Sequence, residues 1–375
     1  MIASFFQGGE FVFSKGRVGL YTLLKAMGVG VGDEVIVSGY TCVMVPSAPR
    51  FLGATCRYVD IDPVTYNLNP ALLDAHLTPK TRALIIQHTY GIAQNMGPVL
   101  DWTGRNNIPI IEDCCHAFGS RWNGKLCGNF GVGTFFSGQW NKPFSTGLGG
   151  MLLVNDAKLL PEVERLYQAA LSPSLTQEIR LWLQIKAYNM FVTPHTNALM
   201  MRLYRLMSGL GLAAGSSTNE EFEGEMPRNY FQRMAKVQIR EGEKNILGIH
   251  ALMAHRKEIS ALYKRELPGL GFRVIKEDPQ VENVILRYPV RVVNKDELLK
   301  KAASKGIELG SWFEIPLHPA GIDMARFGYR QGMCPESEKA CREVVNLPTH
   351  GKVTPEIAEK TLEFMKRYGR FCERH

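Results

Sequence analysis

Two residues that follow buried apolar runs could carry chemistry. Asp113 ends the run IPIIED, and Lys142 comes five residues after Ser137, where the run TFFS ends. A carboxylate at the end of a buried strand is costly unless a cation faces it. A protonated pyridine nitrogen would be such a cation, and it makes pyridoxal phosphate (PLP) an electron sink. The alternative for Asp113 is a cap in a strand-to-helix turn.

The stretch around Lys142 supplies other groups that this chemistry needs. Its amine could form a Schiff base with the cofactor aldehyde and, once released, carry protons. Ser137 could donate a hydrogen bond to a phosphate, and the Gly-rich stretch 147–150 leads into the next strand. The alternative is a hairpin with a solvated lysine.

A candidate phosphate site lies near the start of the chain. Gly16 precedes residues 17–27, whose leucines recur at helical spacing. The first N–H groups of a helix, here those of Arg17 and Val18, have no partner within the helix and can bind phosphate. The alternative is a plain helix start.

A sheet must position these residues. In the first 155 residues, continuous apolar strand-like runs alternate with helix-like runs. This pattern indicates a mostly parallel sheet covered on both faces. Ligands of such sheets bind beyond the carboxyl ends of the strands, where Asp113 and Ser137 lie. We predict an α/β fold with a large domain over residues 1–245 and a small C-terminal α/β domain over 246–375.

Composition narrows the classes of function. The net charge is +8, but there is no zinc-finger spacing and no long Lys/Arg block, so we expect no nucleic-acid partner. The charge favours anionic small molecules, with a membrane surface in reserve. None of the eight cysteines forms a Cys-x-x-Cys pair, and we predict no metal site. The start of the chain lacks the regions of a signal peptide, so we predict a reducing, cytoplasmic compartment.

Residues 171–217 break the alternation and form an apolar helical insertion. Pro194 divides it into two helix-like pieces, both too short to span a bilayer. Two interpretations remain open. The insertion packs within a dimer or caps the active site, or it lies in an anionic membrane interface with Arg202 and Arg205 facing head groups.

Together, these motifs resemble the DegT/StrS family of PLP-dependent sugar-nucleotide aminotransferases. The resemblance covers residues 14–155 closely and the C-terminal third more loosely. The matching residues are an acidic element (Glu112, Asp113, His116, Gly119), a lysine element (Ser137, Lys142, Thr146, Gly149, Gly150), a D-x-D pair (Asp60, Asp62), an H-x-Y-G element (His88, Tyr90, Gly91) and an L-P-x-H element (Leu347, Pro348, His350).

The resemblance implies the aspartate-aminotransferase type of fold (fold type I) and a homodimer with its sites at the subunit boundary. It implies that Lys142 is the Schiff-base lysine and proton carrier. Asp113 would pair with the pyridinium nitrogen, and His116 would lie near the cofactor's 3-hydroxyl. The implied phosphate ligands are the Ser137 side chain and the backbone around Gly16, Arg17 and Val18.

Several positions depart from the family pattern. Arg17 replaces a threonine that binds the phosphate, and Cys42 occupies the position of the aromatic residue that stacks on the cofactor ring. Leu148 replaces a glutamate of the lysine element. Phe231 replaces an asparagine that reaches the neighbouring subunit's phosphate, which leaves Asn229, two positions away, as the candidate for this contact.

We therefore predict transamination from an amino acid, L-glutamate by the resemblance, to a nucleotide-linked keto sugar. The insertion motivates one alternative, a keto substrate without a nucleotide. The departures motivate another, a PLP-binding regulatory protein that is catalytically idle.

Overall fold

The computed structural model describes residues 1–2, 4–192, 200, 203–204, 206–207, 213–276 and 278–371. Much of the second half of the apolar insertion, with Arg202 and Arg205, therefore lies outside the described residues. Within them, no helix is both long and apolar enough to cross a membrane.

A seven-stranded sheet forms the centre of the chain. Its order is β1 (Gly9–Phe13), β10 (Leu148–Val154), β9 (Gly133–Gln139), β6 (Ile110–Asp113), β5 (Thr81–Gln87), β2 (Glu34–Ser38) and β4 (Thr55–Val59). The last five strands are parallel, whereas β10 and β1 are antiparallel to their neighbours. Burial on both faces accounts for the continuous apolar runs. The predicted α/β fold with a large, mostly parallel sheet is confirmed.

Helices in the first two thirds of the chain connect and flank these strands. They are α1 (Gly16–Ala26), α2 (Met44–Phe51), α3 (Met96–Asn106), α4 (Leu160–Ala169), α5 (Leu175–Phe191), α6 (Asn219–Phe222) and α7 (Lys236–Ile246), with short 3-10 helices at Pro70–His76 and Thr89–Gly91. Helix α1 packs across β9 and β10, so its N-terminus reaches the edge where β9 ends.

The C-terminal third packs an apolar core around a two-stranded sheet of β12 (Arg287–Arg291) and β14 (Val344–Pro348), and residues of the first third, among them Tyr40, Tyr66 and Tyr90, belong to the same core. Its helices are α8 (Ile249–Glu266), α9 (Lys295–Ser304), α10 (Pro335–Glu343) and α11 (Pro355–Tyr368), with 3-10 helices at Leu267–Leu270 and Met324–Phe327. The division at residue 245 stays a prediction.

Short strand pairs join the C-terminal third to the large sheet's loops. Strand β13 (Leu317–His318) runs parallel to β3 (Thr41–Cys42), and β11 (Val281–Glu282) pairs with β7 (Arg121–Trp122), which also pairs with β8 (Lys125–Leu126). These contacts place residues 311–318 over the carboxyl edge of the sheet, next to the predicted site.

Candidate active site

Lys142 lies in the loop between β9 and β10, at the carboxyl edge of the sheet. The loop turns back on itself because the Lys142 N–H donates to the Gln139 carbonyl at 3.1 Å and the Thr146 N–H donates to the Gly138 carbonyl at 2.8 Å. The Lys142 amine lies 4.7 Å from the centroid of the Trp312 ring. An aromatic face from the C-terminal third therefore covers the predicted Schiff-base lysine.

The electrostatic surroundings favour a less protonated Lys142. Loss of water around the amine lowers its pKa, and the positive charge of Arg287 lowers it further. The Cys115 and Cys42 thiols and the Asp113 carboxylate oppose this effect. A lysine with a lowered pKa presents more of the free amine that nucleophilic and base chemistry require.

Asp113 is buried at the end of β6, and its carboxylate accepts the Cys115 N–H at 2.9 Å. Burial raises its pKa, while the Cys115 N–H and the positive charges of Lys142 and His88 oppose that shift. A carboxylate in this position gains a stronger partner if a cationic ring nitrogen binds opposite it.

Glu112 faces the other side of β6, because successive side chains of a strand point to opposite faces. Its oxygens accept three backbone N–H groups, from Gly128, Phe130 and Gly131, at 2.7, 2.6 and 3.0 Å. Its Oε2 also lies 3.1 Å from His88 Nε2. Glu112 thus fixes the loop before β9, and only Asp113 of the acidic pair faces the site.

His116 is buried beside Trp312, with the two rings 5.0 Å apart and nearly parallel. Its Nδ1 accepts the Tyr90 N–H at 3.2 Å, so the neutral ring carries its hydrogen on Nε2. Burial, together with the charges of Lys142 and Arg287, holds its pKa well below the usual range. His116 is therefore a neutral hydrogen-bond donor.

The start of α1 lies directly against β9. A Cβ added to Gly16 would be 2.6 Å from the Phe136 carbonyl oxygen, and one added to Gly150 would be 2.0 Å from the Gly16 nitrogen. Ser137 is paired with Gly150 in the sheet. The glycines therefore let the helix N-terminus approach Ser137, as a shared phosphate site requires. Contrary to the expectation from the sequence, the Val18 N–H already has a partner, because it donates to the Lys15 carbonyl at 3.1 Å.

The Arg17 side chain is engaged away from this helix start. Its guanidinium donates to Glu221 at 2.6 and 2.8 Å and to the Ser216 carbonyl at 2.6 Å. Lys15 also pairs with Glu221, at 3.2 Å. Because Glu221 is fully buried and meets both cations, the charge of Arg17 is already balanced within the chain. The backbone, rather than the guanidinium, is left for a phosphate.

Cys42 and Asn229 occupy different surroundings. Burial raises the pKa of the Cys42 thiol, and the charges of Lys142, Arg17 and Asp113 all act on it. Cys42 is therefore within reach of the charges of the predicted site. Asn229 is exposed beside a cavity that Lys15 and Glu221 also line. In a single chain it does not join the group around Lys142.

Three site residues were not predicted: Cys115, Arg287 and His318. Cys115 follows Asp113 by two positions, so the period of an extended chain could have placed it on the same side. Burial lowers the pKa of His318 to about 4, so this ring is neutral. Arg287 and His318 come from the C-terminal third, where the sequence offers no chemical motif around them.

These residues fit PLP. A buried carboxylate is available for the ring nitrogen, an amine for the aldehyde carbon, and a helix start with Ser137 for the phosphate. We assign no position to the bound cofactor.

Comparisons with known proteins agree with this fit. Residues 10–366 match the model of the DegT/DnrJ/EryC1/StrS aminotransferase family. GDP-perosamine synthase of Caulobacter vibrioides is 29% identical over 349 residues, which cover 91% of this chain and 80% of that protein. L-glutamine:scyllo-inosose aminotransferase of Streptomyces griseus is 40% identical, but over only 41% of this chain and 36% of its own.

Solved structures give the same fold. The apo form of the putative sugar aminotransferase Spr1654 from Streptococcus pneumoniae superposes with a TM-score of 0.75 at 20% identity, covering 98% of this chain and 87% of that chain. The predicted family, cofactor and reaction class are confirmed by the family match, which extends over nearly the whole chain. The chain belongs to the DegT/DnrJ/EryC1/StrS aminotransferase family and is a PLP-dependent aminotransferase.

Proposed function

We propose that this aminotransferase moves an amino group from L-glutamate to a keto sugar linked to a nucleotide. The observation that carries the proposal is the convergence of Lys142 and His116 on the Trp312 ring, with Asp113 close enough for the charge of Lys142 to act on it. Relatives named for nucleotide-linked sugars, such as GDP-perosamine synthase, support the acceptor class.

Each residue of this group has a separate role. Bound PLP supplies the electron sink on which amino-group transfer depends. Lys142 holds the cofactor through its amine and moves a proton at Nζ when released. Asp113 would keep the ring nitrogen protonated, and His116 would donate from Nε2 to the 3-hydroxyl oxygen. Ser137 and the helix backbone at Gly16 and Arg17 would hold the phosphate, whereas the Val18 N–H is bound to the Lys15 carbonyl, and Cys42 would take the position beside the ring.

A panel of amino donors and keto sugars tests the proposal. Purified protein should lose its visible PLP absorbance with L-glutamate and regain it with a keto-sugar nucleotide. If the PLP absorbance returns only with a keto compound that lacks a nucleotide, the alternative acceptor is favoured. The match to a scyllo-inosose aminotransferase also supports this alternative. No response to any amino donor would favour an idle, regulatory protein.

We further propose a homodimer in which Asn229 contacts the partner's site. Its exposed position outside the group around Lys142 suits a contact made in trans. Light scattering tests this, and a fully active monomer would contradict it.

The seven described cysteines are free thiols, which supports the predicted reducing, cytoplasmic compartment.

We also propose that α5 contacts an anionic membrane surface. Five large apolar side chains follow the helical period on its solvent side and are about half to three-quarters exposed: Leu175 75%, Ile179 51%, Trp182 48%, Leu183 55% and Met190 68%. Only Ile185 of this helix is fully buried. The apolar stripe of α5 thus faces outward, the reverse of an ordinary surface helix.

The charged residues around this apolar stripe indicate which kind of surface it contacts. Lys186 lies within it, and Lys236, Arg240 and Lys244 of α7 line the adjoining groove, all of them exposed. The Glu178 carboxylate is bound by the N–H groups that begin α7, at 2.7 and 3.2 Å. An apolar stripe with a basic rim matches the interface of an anionic bilayer.

Helix α5 also borders the loop that carries Lys142. Tyr188 stacks on Trp140, two residues before the lysine, with the ring centroids 4.1 Å apart. A membrane contact at α5 would therefore hold the active-site loop near the lipid surface, which suits an enzyme whose substrate or downstream partner is membrane-bound.

A further inference from the structure

Arg287 at the start of β12 directs its guanidinium to the same aromatic ring as Lys142. The guanidinium carbon lies 4.5 Å from the Trp312 ring centroid, and the Lys142 amine lies 4.7 Å from it. Gly310 makes room for this position, because a Cβ there would be 2.7 Å from Arg287 Nη1. Two cations therefore share one wall of the active site.

The guanidinium of Arg287 has no hydrogen bond or ion pair within the part of the chain that the structure describes. Its Nε is shielded from solvent and has no partner. Glu308, the carboxylate that acts most strongly on it, is hydrogen-bonded to His350 at 3.0 Å. A shielded donor without a partner is costly, so this position suits a ligand that supplies acceptors.

Three other shielded arginines, Arg256, Arg291 and Arg17, have partners within the chain. Arg256 donates to the Leu286 carbonyl at 2.9 Å and to the Thr349 hydroxyl at 3.1 Å. Arg291, four positions later on the same side of the strand, meets Glu336 at 2.7 Å and Glu343 at 2.9 Å. Arg17 meets Glu221. Arg287 differs from these three because it has neither a hydrogen bond nor an ion pair among the described residues, which leaves its counter-ion to come from outside the chain.

We propose that Arg287 binds the α-carboxylate of the amino-acid donor, which rests on the proposed aminotransfer. The planar guanidinium matches a carboxylate with two parallel hydrogen bonds, and stacking on Trp312 fixes its orientation. The α-carboxylate is one carbon away from the amino group. A donor anchored at Arg287 therefore presents its amine toward Lys142, whereas the phosphates of a sugar nucleotide lie across the sugar from the atom to be aminated. The same anchor serves glutamate and glutamine.

The donor half-reaction tests this role without an acceptor. PLP-loaded R287Q, mixed with increasing L-glutamate, should require about 30-fold or more donor for half-maximal loss of the PLP absorbance, because a buried charge partner is removed. R287K should fall between R287Q and wild type, since it keeps the charge and loses the planar fork. Exposed Arg265→Gln, the matched control, should behave as wild type.

Calorimetric titration with glutarate and with UDP separates this proposal from the proposed function. Glutarate affinity should fall in R287Q while UDP affinity stays unchanged, even if no amino donor converts the cofactor and the aminotransferase proposal fails. Unchanged glutarate binding, or loss of UDP binding with an unchanged donor half-reaction, would overturn the carboxylate site.

Discussion

The carboxyl edge of the large sheet and the helix α5 distribute polarity in opposite ways. At the sheet edge, Asp113 and His116 are buried polar groups. On α5, Trp182 and Leu183 are large apolar groups left half exposed. Each arrangement is costly in water alone. The two regions therefore have their most favourable surroundings with a bound partner, a cofactor at one and an apolar surface at the other.

A buried ion pair connects the sheet edge with the acidic turn that follows the insertion. Arg17 stands at the helix start, where the family carries a threonine, and Glu221 lies in the acidic turn that follows the insertion. Arg17, which departs from the family pattern in the phosphate loop, and Glu221, in the turn after the insertion, thus neutralise each other's charge. Their pairing explains how the loop keeps its backbone conformation with a large cation in place of a small hydroxyl residue.

Removing Lys142 should have the largest effect. K142A should lower turnover by at least about 10⁴-fold, the upper end of what a positioned proton carrier contributes. Cofactor should still bind through its phosphate. Borohydride reduction of wild type followed by peptide mapping should place the cofactor on Lys142, and a different labelled lysine would refute the assignment. The exposed Lys158→Ala is the control.

Asp113→Asn keeps the shape of the site but removes the charge that faces the ring nitrogen. Transition-state stabilisation should fall by about 3 kcal/mol, the scale of losing one key electrostatic contact. Steady-state rates of D113N and of the exposed control D101N measure this difference. Near-wild-type turnover in D113N would remove Asp113 from the mechanism.

Breaking the ion pair between Arg17 and Glu221 should cost stability. E221Q leaves the buried Arg17 without its counter-charge, so the free energy of unfolding should fall by about 3 kcal/mol. The double variant R17M/E221L should lose less, since it removes both charges. Denaturant unfolding compares these variants with the exposed control E225Q. Equal losses in the single and double variants would mean that packing, rather than charge, holds this pair.

The sequence predicted the large sheet and much of the site because both rest on local patterns. Asp113 and Ser137 follow strands, and parallel strands bring their carboxyl ends to one edge. Arg287 and Glu221 could not be found this way, because their roles depend on contacts with residues far away along the chain. The sequence over about 232–267 has one long helix-like pattern, but it forms two helices, α7 and α8, separated at Leu247 and Gly248. Glycine weakens helical continuity there.

The pKa of Lys142 tests the electrostatic arrangement of the polar region at the sheet edge. Its pKa is lowered, so labelling of Lys142 in the apo protein by a neutral amine reagent should reach half-maximum below pH 10.5. Asp113 raises this pKa and Arg287 lowers it. The midpoint should therefore move to lower pH in D113N and to higher pH in R287Q. Mass spectrometry of the labelled peptide measures both, and shifts of the same sign would contradict the arrangement.

The smallest effect is expected for the binding of α5 to vesicles. This measurement decides what covers the apolar stripe. Wild type should co-sediment with anionic phosphatidylglycerol vesicles, and added salt should weaken binding, because the basic rim contributes through screened charges. The variant I179S/W182S/L183S should bind at least about tenfold more weakly, since burying a large apolar side chain contributes more than about 1 kcal/mol.

A matched triple variant distinguishes binding through this stripe from nonspecific binding through other exposed apolar side chains. Val31, Leu247 and Val293 are 91%, 84% and 61% exposed and lie outside α5, so V31S/L247S/V293S should bind like wild type. If wild type fails to sediment and the stripe variant dissociates a dimer by light scattering, then the stripe packs against a second copy. Because salt strengthens apolar contact between subunits but weakens attraction to anionic lipid, the direction of the salt effect distinguishes the two partners.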